Sequence, residues 1–335
     1  MTVPVSTEGA RVIPIDSEQE WAQLCARMGA HPLQLWGWGK LKAAFGWRAI
    51  RVAVHSGDDL DAVAQILVRP VPWPFRALCY IPRGPALAPG ASWDRVLSAL
   101  SQWCRTHVHA VLLEVEPGVE TWDAPSGFRR ARGHILYPHT AVIDLTRDPD
   151  EIFHDFHSKT RQYIRKSERE GVTVELVTSA DTPEFTAVLD IYHDTAQRAG
   201  FLIHADAYYR TALKVLGDAG RLYVAKLNGE VVSFLWLVVS EATSFELWGG
   251  MSSAGEHARA NYTLKAKAIL ACHEAGVAAY DMNGLLGEGI SRFKRSFVQH
   301  DTEWVGTFER PLSALYPLWV RVFPLARRIV KALGR

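Results

Sequence analysis

The chain is poor in the residues that staple small extracellular domains. Its 335 residues hold four cysteines, Cys25, Cys79, Cys104 and Cys272, with no Cys-x-x-Cys pair among them. That spacing argues against a structural zinc site and predicts reduced thiols in a cytoplasm. No uninterrupted apolar run reaches about 18 residues, so no membrane-spanning helix is predicted. The opening residues carry Glu8 and Arg11 and no apolar stretch, so no secretory signal is predicted. Net charge is only +1 at pH 7, which leaves no global field for nucleic acid and makes any basic site local. Familiar catalytic loops are missing as well. Gly250-Met-Ser252-Ser-Ala254 lacks the second glycine of a nucleophile elbow. Gly284-Leu-Leu-Gly287-Glu-Gly289 lacks the spacing of a dinucleotide fingerprint, and there is no P-loop. His154 and His157 are neighbours on a helix, but no third ligand accompanies them and no metal site is predicted.

What is present is a duplication. With 48% apolar and 22% charged residues, the chain is long enough for two domains with real cores. Residues 51–70 read as a β-rich run, a Gly57-Asp58 turn and a second β-rich run. Residues 221–240 repeat this around Asn228-Gly229, about 170 residues later. After the first hairpin come a strand at 78–81, a helix at 93–107 and a strand at 110–115. After the second come a strand at 243–248, a helix at 262–274 and a strand at 278–282. Hairpin, strand, helix, strand is the core of the N-acetyltransferase (GNAT) fold. The predicted class is therefore α+β, two tandem GNAT-like domains, each a mixed, mostly antiparallel sheet flanked by helices. Two such units suggest acyl transfer across a cleft.

Helices are predicted over 18–28, 33–45 and 151–170, the last ended by Gly171. Residues 139–145 read as the closing strand of the first domain. The boundary falls near Thr146, giving domain 1 as 1–146 plus 303–335 and domain 2 as 147–302. The tail from Pro311 to Arg335 has no acidic residue, and Arg321, Arg327, Arg328, Lys331 and Arg335 alternate with apolar side chains. It reads either as a peripheral membrane contact on anionic lipid or as a terminal segment packed on domain 1, interrupted by Pro317 and Pro324.

A GNAT enzyme that uses acyl-CoA holds pyrophosphate on backbone amides at a helix start, through a glycine-rich turn. Ser253-Ala-Gly-Glu-His-Ala-Arg-Ala-Asn261 lacks that cradle, and prolines block the equivalent segment at 81–90. No cofactor is predicted. The helix ahead of Gly171 concentrates Lys159, Arg161, Arg165, Lys166 and Arg169. Arg161, Arg165 and Arg169 recur every four residues and form one stripe, either a dock for RNA phosphates or a solvated face.

Five stretches, in order, resemble the Fem family of non-ribosomal peptidyltransferases. They are Leu33-Gln-Leu-Trp-Gly-Trp-Gly-Lys-Leu-Lys-Ala-Ala-Phe-Gly-Trp47, Tyr80-Ile-Pro-Arg-Gly-Pro85, the run Phe156 to Val172, Tyr280-Asp-Met-Asn-Gly284 and Gly289-Ile-Ser-Arg-Phe-Lys-Arg-Ser-Phe297. The resemblance covers essentially the whole chain and is to the compact, FemX-like type without a long helical arm. It implies transfer of an amino acid from aminoacyl-tRNA to the side-chain amine of a peptidoglycan precursor, UDP-MurNAc-pentapeptide or lipid II. The alternative is N-acylation of a sugar amine in an exopolysaccharide pathway. The place implied is the cytoplasm, or the inner face of the membrane.

The resemblance also implies site residues. Lys294 matches the lysine that stabilises the oxyanion of the tetrahedral intermediate. Lys42, with Lys40 as a near alternative, matches a phosphate-binding lysine of domain 1, the precursor-binding domain. In domain 2, the aminoacyl-tRNA side, Tyr208 fits a substrate-binding position, and His204 stands where the family has arginine. Trp248 falls on a position lining the acceptor groove, or is a core residue. Tyr262 joins this substrate-binding set, and Lys159, Arg161, Arg165 and Arg169 form the tRNA-binding set. Glu116, or Glu114 on the same strand face, is the candidate general base.

Overall fold

Both turn signals close antiparallel hairpins. Strands Arg48–Ser56 and Asp59–Pro70 pair across the Gly57 turn, and Gly220–Leu227 and Glu230–Val239 pair across Asn228 and Gly229. Asn228 and Gly229 hold φ of 52° and 85°, the left-handed pair that a two-residue hairpin turn demands. The computed structural model describes residues 5–7 and 9–322. It divides into two compact units, one drawn from segments 1–30, 42–136 and 305–335, the other from 31–41 and 137–304.

In the first unit, Ala10–Pro14, Arg48–Ser56, Asp59–Pro70 and Ala77–Ile81 run antiparallel in turn, and Ala110–Val115 then joins Ala77–Ile81 in parallel. The connection between the parallel strands is helix Trp93–Trp103. Its N-cap Ser92 accepts from the Arg95 amide, and it buries Val96, Leu97, Leu100 and Trp103. That i, i+1, i+4, i+7 stripe packs in one core with Val52, Val54 and Ile66 of the sheet. Each fully buried side chain of this size contributes about 1.5–3 kcal/mol.

The second unit repeats the order. Thr173–Val177, Gly220–Leu227, Glu230–Val239 and Thr243–Met251 are antiparallel, and Ala279–Asp281 joins Thr243–Met251 in parallel. Helix Ala260–Glu274 makes the connection and buries Leu264, Ile269 and Cys272 with Tyr280 and Phe297. Ahead of it the short helix Ser253–His257 packs so closely that a Cβ on Gly255 would lie 2.3 Å from the Val232 carbonyl oxygen. Each unit is thus a mixed, mostly antiparallel sheet flanked by helices, as the duplication predicts.

Two expectations are corrected. Residues 139–145 do not close the first sheet. Val142–Asp144 pairs antiparallel with Ala279–Asp281 in the second, and His139–Thr140 pairs with Thr302–Glu303. The place beside Ala110–Val115 is taken by Phe308–Pro311, from the tail. A strand this short carries no local mark of its partner, and the open edge of the parallel strand decides. The helix predicted over 151–170 is two, Pro149–Asp155 and Ser158–Arg169. Phe156 breaks it: its extended ψ of 141° lets the ring enter the core beside Phe297, 5.0 Å between centroids. Arg161 Nη1 then donates to the carbonyls of His154 and Phe156, which a continuous helix would have satisfied itself.

Among the described residues no helix is long and apolar enough to cross a membrane. Arg327, Arg328, Lys331 and Arg335 of the basic tail lie outside the described residues.

Candidate active site

The parallel pair of the second unit opens at one end. Pairing between Thr243–Met251 and Ala279–Asp281 stops at Phe245 opposite Asp281, while the longer strand continues. Asn283 Nδ2 donates to the Glu246 carbonyl at 3.0 Å across the point of divergence. Asn283 itself has φ of 56°, a left-handed turn that asparagine tolerates, and the chain swings away from the sheet. A bulge between Trp236 and Leu237 pairs Trp248 with Trp236 and Glu246 with Leu237, leaving Leu247 unopposed.

Lys294 fills the opening. It projects from helix Gly287–Arg295, and its Nζ donates to the carbonyls of Met282 at 2.6 Å, Asn283 at 2.9 Å and Gly284 at 3.0 Å. An ammonium has three donors, and here all three meet carbonyl oxygens. Lys294 therefore offers a fixed charge rather than a spare N–H. Gly284, which supplies one of the three carbonyls, is closely packed: a Cβ there would lie 2.6 Å from Tyr137 Cδ2.

Behind Lys294 lies a charge cluster absent from the sequence-based set. Glu246 is buried and sits between two ammoniums. One carboxylate oxygen accepts from Lys265 Nζ, and from Tyr280 Oη at 2.9 Å. The other is 4.0 Å from Lys294 Nζ. Burial pulls the Lys294 ammonium down to about 8, with Glu246 acting in the opposite sense. Lys265 is also lowered by burial, opposed by Glu246, and Tyr280 is raised by burial and by the Glu246 charge. Lys265 Nζ faces the rings of Phe293 at 5.3 Å and Phe297 at 5.9 Å, so cation–π attraction replaces part of its lost hydration. Asp281, beside the cluster, accepts from Thr140 Oγ1 at 2.6 Å and from Trp304 Nε1 at 3.3 Å.

The structure distributes the sequence-predicted residues unevenly. Tyr262 lies one turn from Lys265 on the same helix and packs edge-on to Phe293, 5.0 Å between centroids, so it belongs to the wall of this cluster. Trp248 continues the Glu246 strand and meets Trp236 and Tyr209, each at 5.1 Å. Tyr208 is buried beneath the exposed His204 ring, stacked at 3.9 Å and 21°. Burial raises the Tyr208 phenol, so its neutral form is held. Lys42, half-buried in the first unit, is pulled to about 8 by burial, whereas Lys40 is exposed.

Two of the predicted residues are engaged by groups within the protein. Glu116 is fully buried and accepts from the Ile135 and Leu136 amides, each at 3.0 Å, from Thr307 Oγ1 and from Tyr80 Oη. A carboxylate engaged by four donors and closed to solvent anchors the chain at 135–136; it is not placed to take a proton from a substrate. In the basic helix, Arg161 caps the preceding helix. Lys159, Arg165 and Arg169 stay exposed, and Arg165 and Arg169 line a groove of about 510 Å³ with Gln162 and Glu168.

Glu246 and Lys265 were the missed residues. Their signal was modest: one acid inside Ser244-Phe-Glu-Leu-Trp248, and one base among the buried residues of helix Ala260–Glu274.

Comparison with known proteins places this arrangement. Residues 154–295 match the acetyltransferase (GNAT) domain family. Over 223 residues the chain is 27% identical to lipid II:glycine glycyltransferase of Staphylococcus aureus, a stretch covering 59% of this chain and 52% of that protein. The chain thus spans about half the length of the curated relatives it matches. A solved structure of FemX superposes with a TM-score of 0.77 at 19% identity, over 93% of this chain and 99% of that one. The chain thus shares its fold with FemX and is similar in sequence to the glycyltransferase. Its fold is that of two tandem GNAT-like domains. A tandem GNAT protein from the clavulanic acid biosynthesis pathway shares that fold with a TM-score of 0.52 at 12% identity, over 91% of this chain and 99% of that one.

Proposed function

We propose that this chain is a Fem-family aminoacyltransferase that moves an amino acid from aminoacyl-tRNA to the side-chain amine of a peptidoglycan precursor stem peptide. The acceptor is UDP-MurNAc-pentapeptide or lipid II. The observation that carries this reading is the part-buried Lys294 ammonium, fixed by three carbonyls where the parallel strands part. The relative named for glycyl transfer to lipid II supports it.

In the proposed reaction the acceptor amine attacks the ester carbonyl carbon of aminoacyl-tRNA. The tetrahedral intermediate carries an oxyanion, and collapse breaks the bond to the ribosyl oxygen. The amine loses one proton and the leaving oxygen gains one, so the transfer balances without a cofactor. With its donors engaged, Lys294 stabilises the oxyanion by its field in a low-dielectric site. Glu246 and Lys265 set the local charge balance around it. Trp248 and Tyr262 line the approach for substrate, and the His204–Tyr208 stack offers a flat surface there. Lys42, in the first unit, contributes a phosphate contact to the precursor. Lys159, Arg165 and Arg169 supply the sequence-independent attraction for tRNA phosphates. The place proposed for the reaction is the cytoplasm or the inner face of the membrane.

The test combines purified chain, bulk labelled aminoacyl-tRNA and each acceptor separately, and reads product masses. A gain of one amino-acid residue on an acceptor supports the reading and identifies the residue. Folded protein that modifies neither acceptor but binds CoA would replace it with sugar-amine acylation.

A further inference from the structure

We propose that the first unit carries a docking surface for an anionic lipid bilayer, built from the turn at 71–76 and the helix at 316–322. The turn joins strands Asp59–Pro70 and Ala77–Ile81 and is closed by Val71 N–H to the Arg76 carbonyl at 2.9 Å. It sorts its two aromatics. Phe75 is buried edge-on against Trp319, 5.2 Å between centroids, which ties the turn to the helix. Trp73 is 89% exposed. An exposed indole alone is ordinary; here it adjoins a turn tethered to a helix that carries further exposed apolar side chains.

The helix completes the surface. At about 100° per residue, Tyr316 and Trp319 turn inward, whereas Leu318 and Val322, one turn apart, point outward. They are 47% and 40% exposed. On the flank away from Trp319, a groove of about 530 Å³ is lined by Arg129, Arg132 and Arg321 with Tyr316, Pro317 and Val320. Arg129 is held in place, its Nε on Glu309 at 3.2 Å and its guanidinium 4.6 Å from the Tyr316 ring centre. Arg132 and Arg321 are exposed.

The tethered turn and helix therefore present an exposed indole and two aliphatic side chains, and a neighbouring groove presents guanidiniums. Each has its place at a bilayer surface: indole at headgroup level, aliphatics just below it, and guanidiniums paired with lipid phosphates. Charge complementarity selects the occupant. Glu309, the acid beside the groove, is already engaged by Arg129 and Tyr316. The sequence from 311 to 335 has five basic residues and no acidic one.

The experiment uses the full chain and vesicles of phosphatidylcholine with or without phosphatidylglycerol. Co-sedimentation should be at least tenfold stronger on anionic vesicles and should weaken with salt. Trp73→Ser, the double change Leu318→Asp with Val322→Asp, and the double change Arg132→Glu with Arg321→Glu should each weaken it at least tenfold. Brominated lipid should quench wild-type fluorescence, and Trp73→Phe, a conservative change that keeps the fold, should lose that quenching. Equal binding to both vesicle types, or quenching unchanged in Trp73→Phe, overturns the proposal. So does binding of inorganic pyrophosphate without any binding of vesicles. The vesicles carry neither acceptor nor tRNA, so failure here and failure of the transfer assay are separate results.

Discussion

Lys294 stands 4.0 Å from one oxygen of Glu246, whose other oxygen is claimed by Lys265. Glu246 thus stands between the buried Lys265 and the part-buried Lys294, with Asp281 a further carboxylate acting on Lys294. In the proposed reaction, the Lys294 ammonium at the point where the strands part is what a developing oxyanion would meet.

Replacing Glu246 by Gln should expose the dependence. Lys265 loses its counter-charge and Lys294 the nearer of two, and breaking a buried pair by removing one partner costs about 3–5 kcal/mol. The double change Glu246→Leu with Lys265→Met should recover part of that stability in urea denaturation. In Glu246→Gln protein that remains folded, the basic limb of the transfer-rate profile should move to lower pH. A limb that stays in place would show that Glu246 does not act on Lys294.

The pH dependence of the wild type has a definite sign. Lys294 is cationic below about 8 and neutral above it. Transfer, corrected for ester hydrolysis, should therefore decline as pH rises through about 8. Stability moves in the opposite direction. Because the folded value lies below the unfolded one, burying the charge costs on the order of 3 kcal/mol below pH 8. That cost is relieved as pH climbs toward the unfolded value. Compared with Lys294→Met, the wild type should gain about 2 kcal/mol between pH 7 and pH 9.5. A constant difference would contradict the assignment. At neutral pH Lys294→Ala should lower turnover far more than precursor binding.

Gly284→Ala tests how tightly the carbonyl cradle is held. The new Cβ would lie 2.6 Å from Tyr137 Cδ2 and 2.8 Å from Tyr137 Cβ. Activity should fall roughly tenfold, equivalent to about 1.4 kcal/mol. Adding Tyr137→Ala should not restore it, since that Cβ remains, whereas Tyr137→Gly should. Rescue by alanine would mean that only the ring obstructs the cradle.

The basic helix should separate binding from folding. Arg165→Glu with Arg169→Glu should raise the KM for aminoacyl-tRNA and flatten its salt dependence, leaving the melting temperature nearly unchanged. Arg161→Ala should do the reverse, because it frees two helix-end carbonyls, a loss of about 1–3 kcal/mol. Matching effects from the two changes would dissolve the distinction drawn between these arginines.

Glu116→Gln should lower the melting temperature by several degrees, since it weakens a four-donor anchor. It should leave the shape of the pH profile alone. A lost acidic limb would restore Glu116 as a base.

The parts of this fold legible in sequence were those written locally. Asn228-Gly229 and Gly57-Asp58 fix two hairpins, and the apolar period from Trp93 to Trp103 fixes a helix. The parts that were not legible depend on distant partners. Nothing in Val142-Ile-Asp144 states that its neighbour is Ala279–Asp281 rather than Ala110–Val115. The helix over 151–170 has good periodicity throughout, and it breaks because the Phe156 ring finds Phe297, about 140 residues away. In the site, the Phe-Lys motif pointed to Lys294, but the pairing of Glu246 with Lys265 joins a strand to a helix and has no motif of its own. Glu116 looked available as an acid on a strand end; its burial comes from Thr307, 191 positions later.

The tail strand Phe308–Pro311 has a consequence for how the protein emerges from the ribosome. Synthesis of the first unit's other strands is complete by Arg130, yet the edge of Ala110–Val115 stays unpaired until residue 311 has been made. The second unit receives its own edge strand, Val142–Asp144, before its remaining strands are synthesised. The half begun first is thus finished last, and during translation it exposes a sheet edge of the kind that invites pairing with another chain.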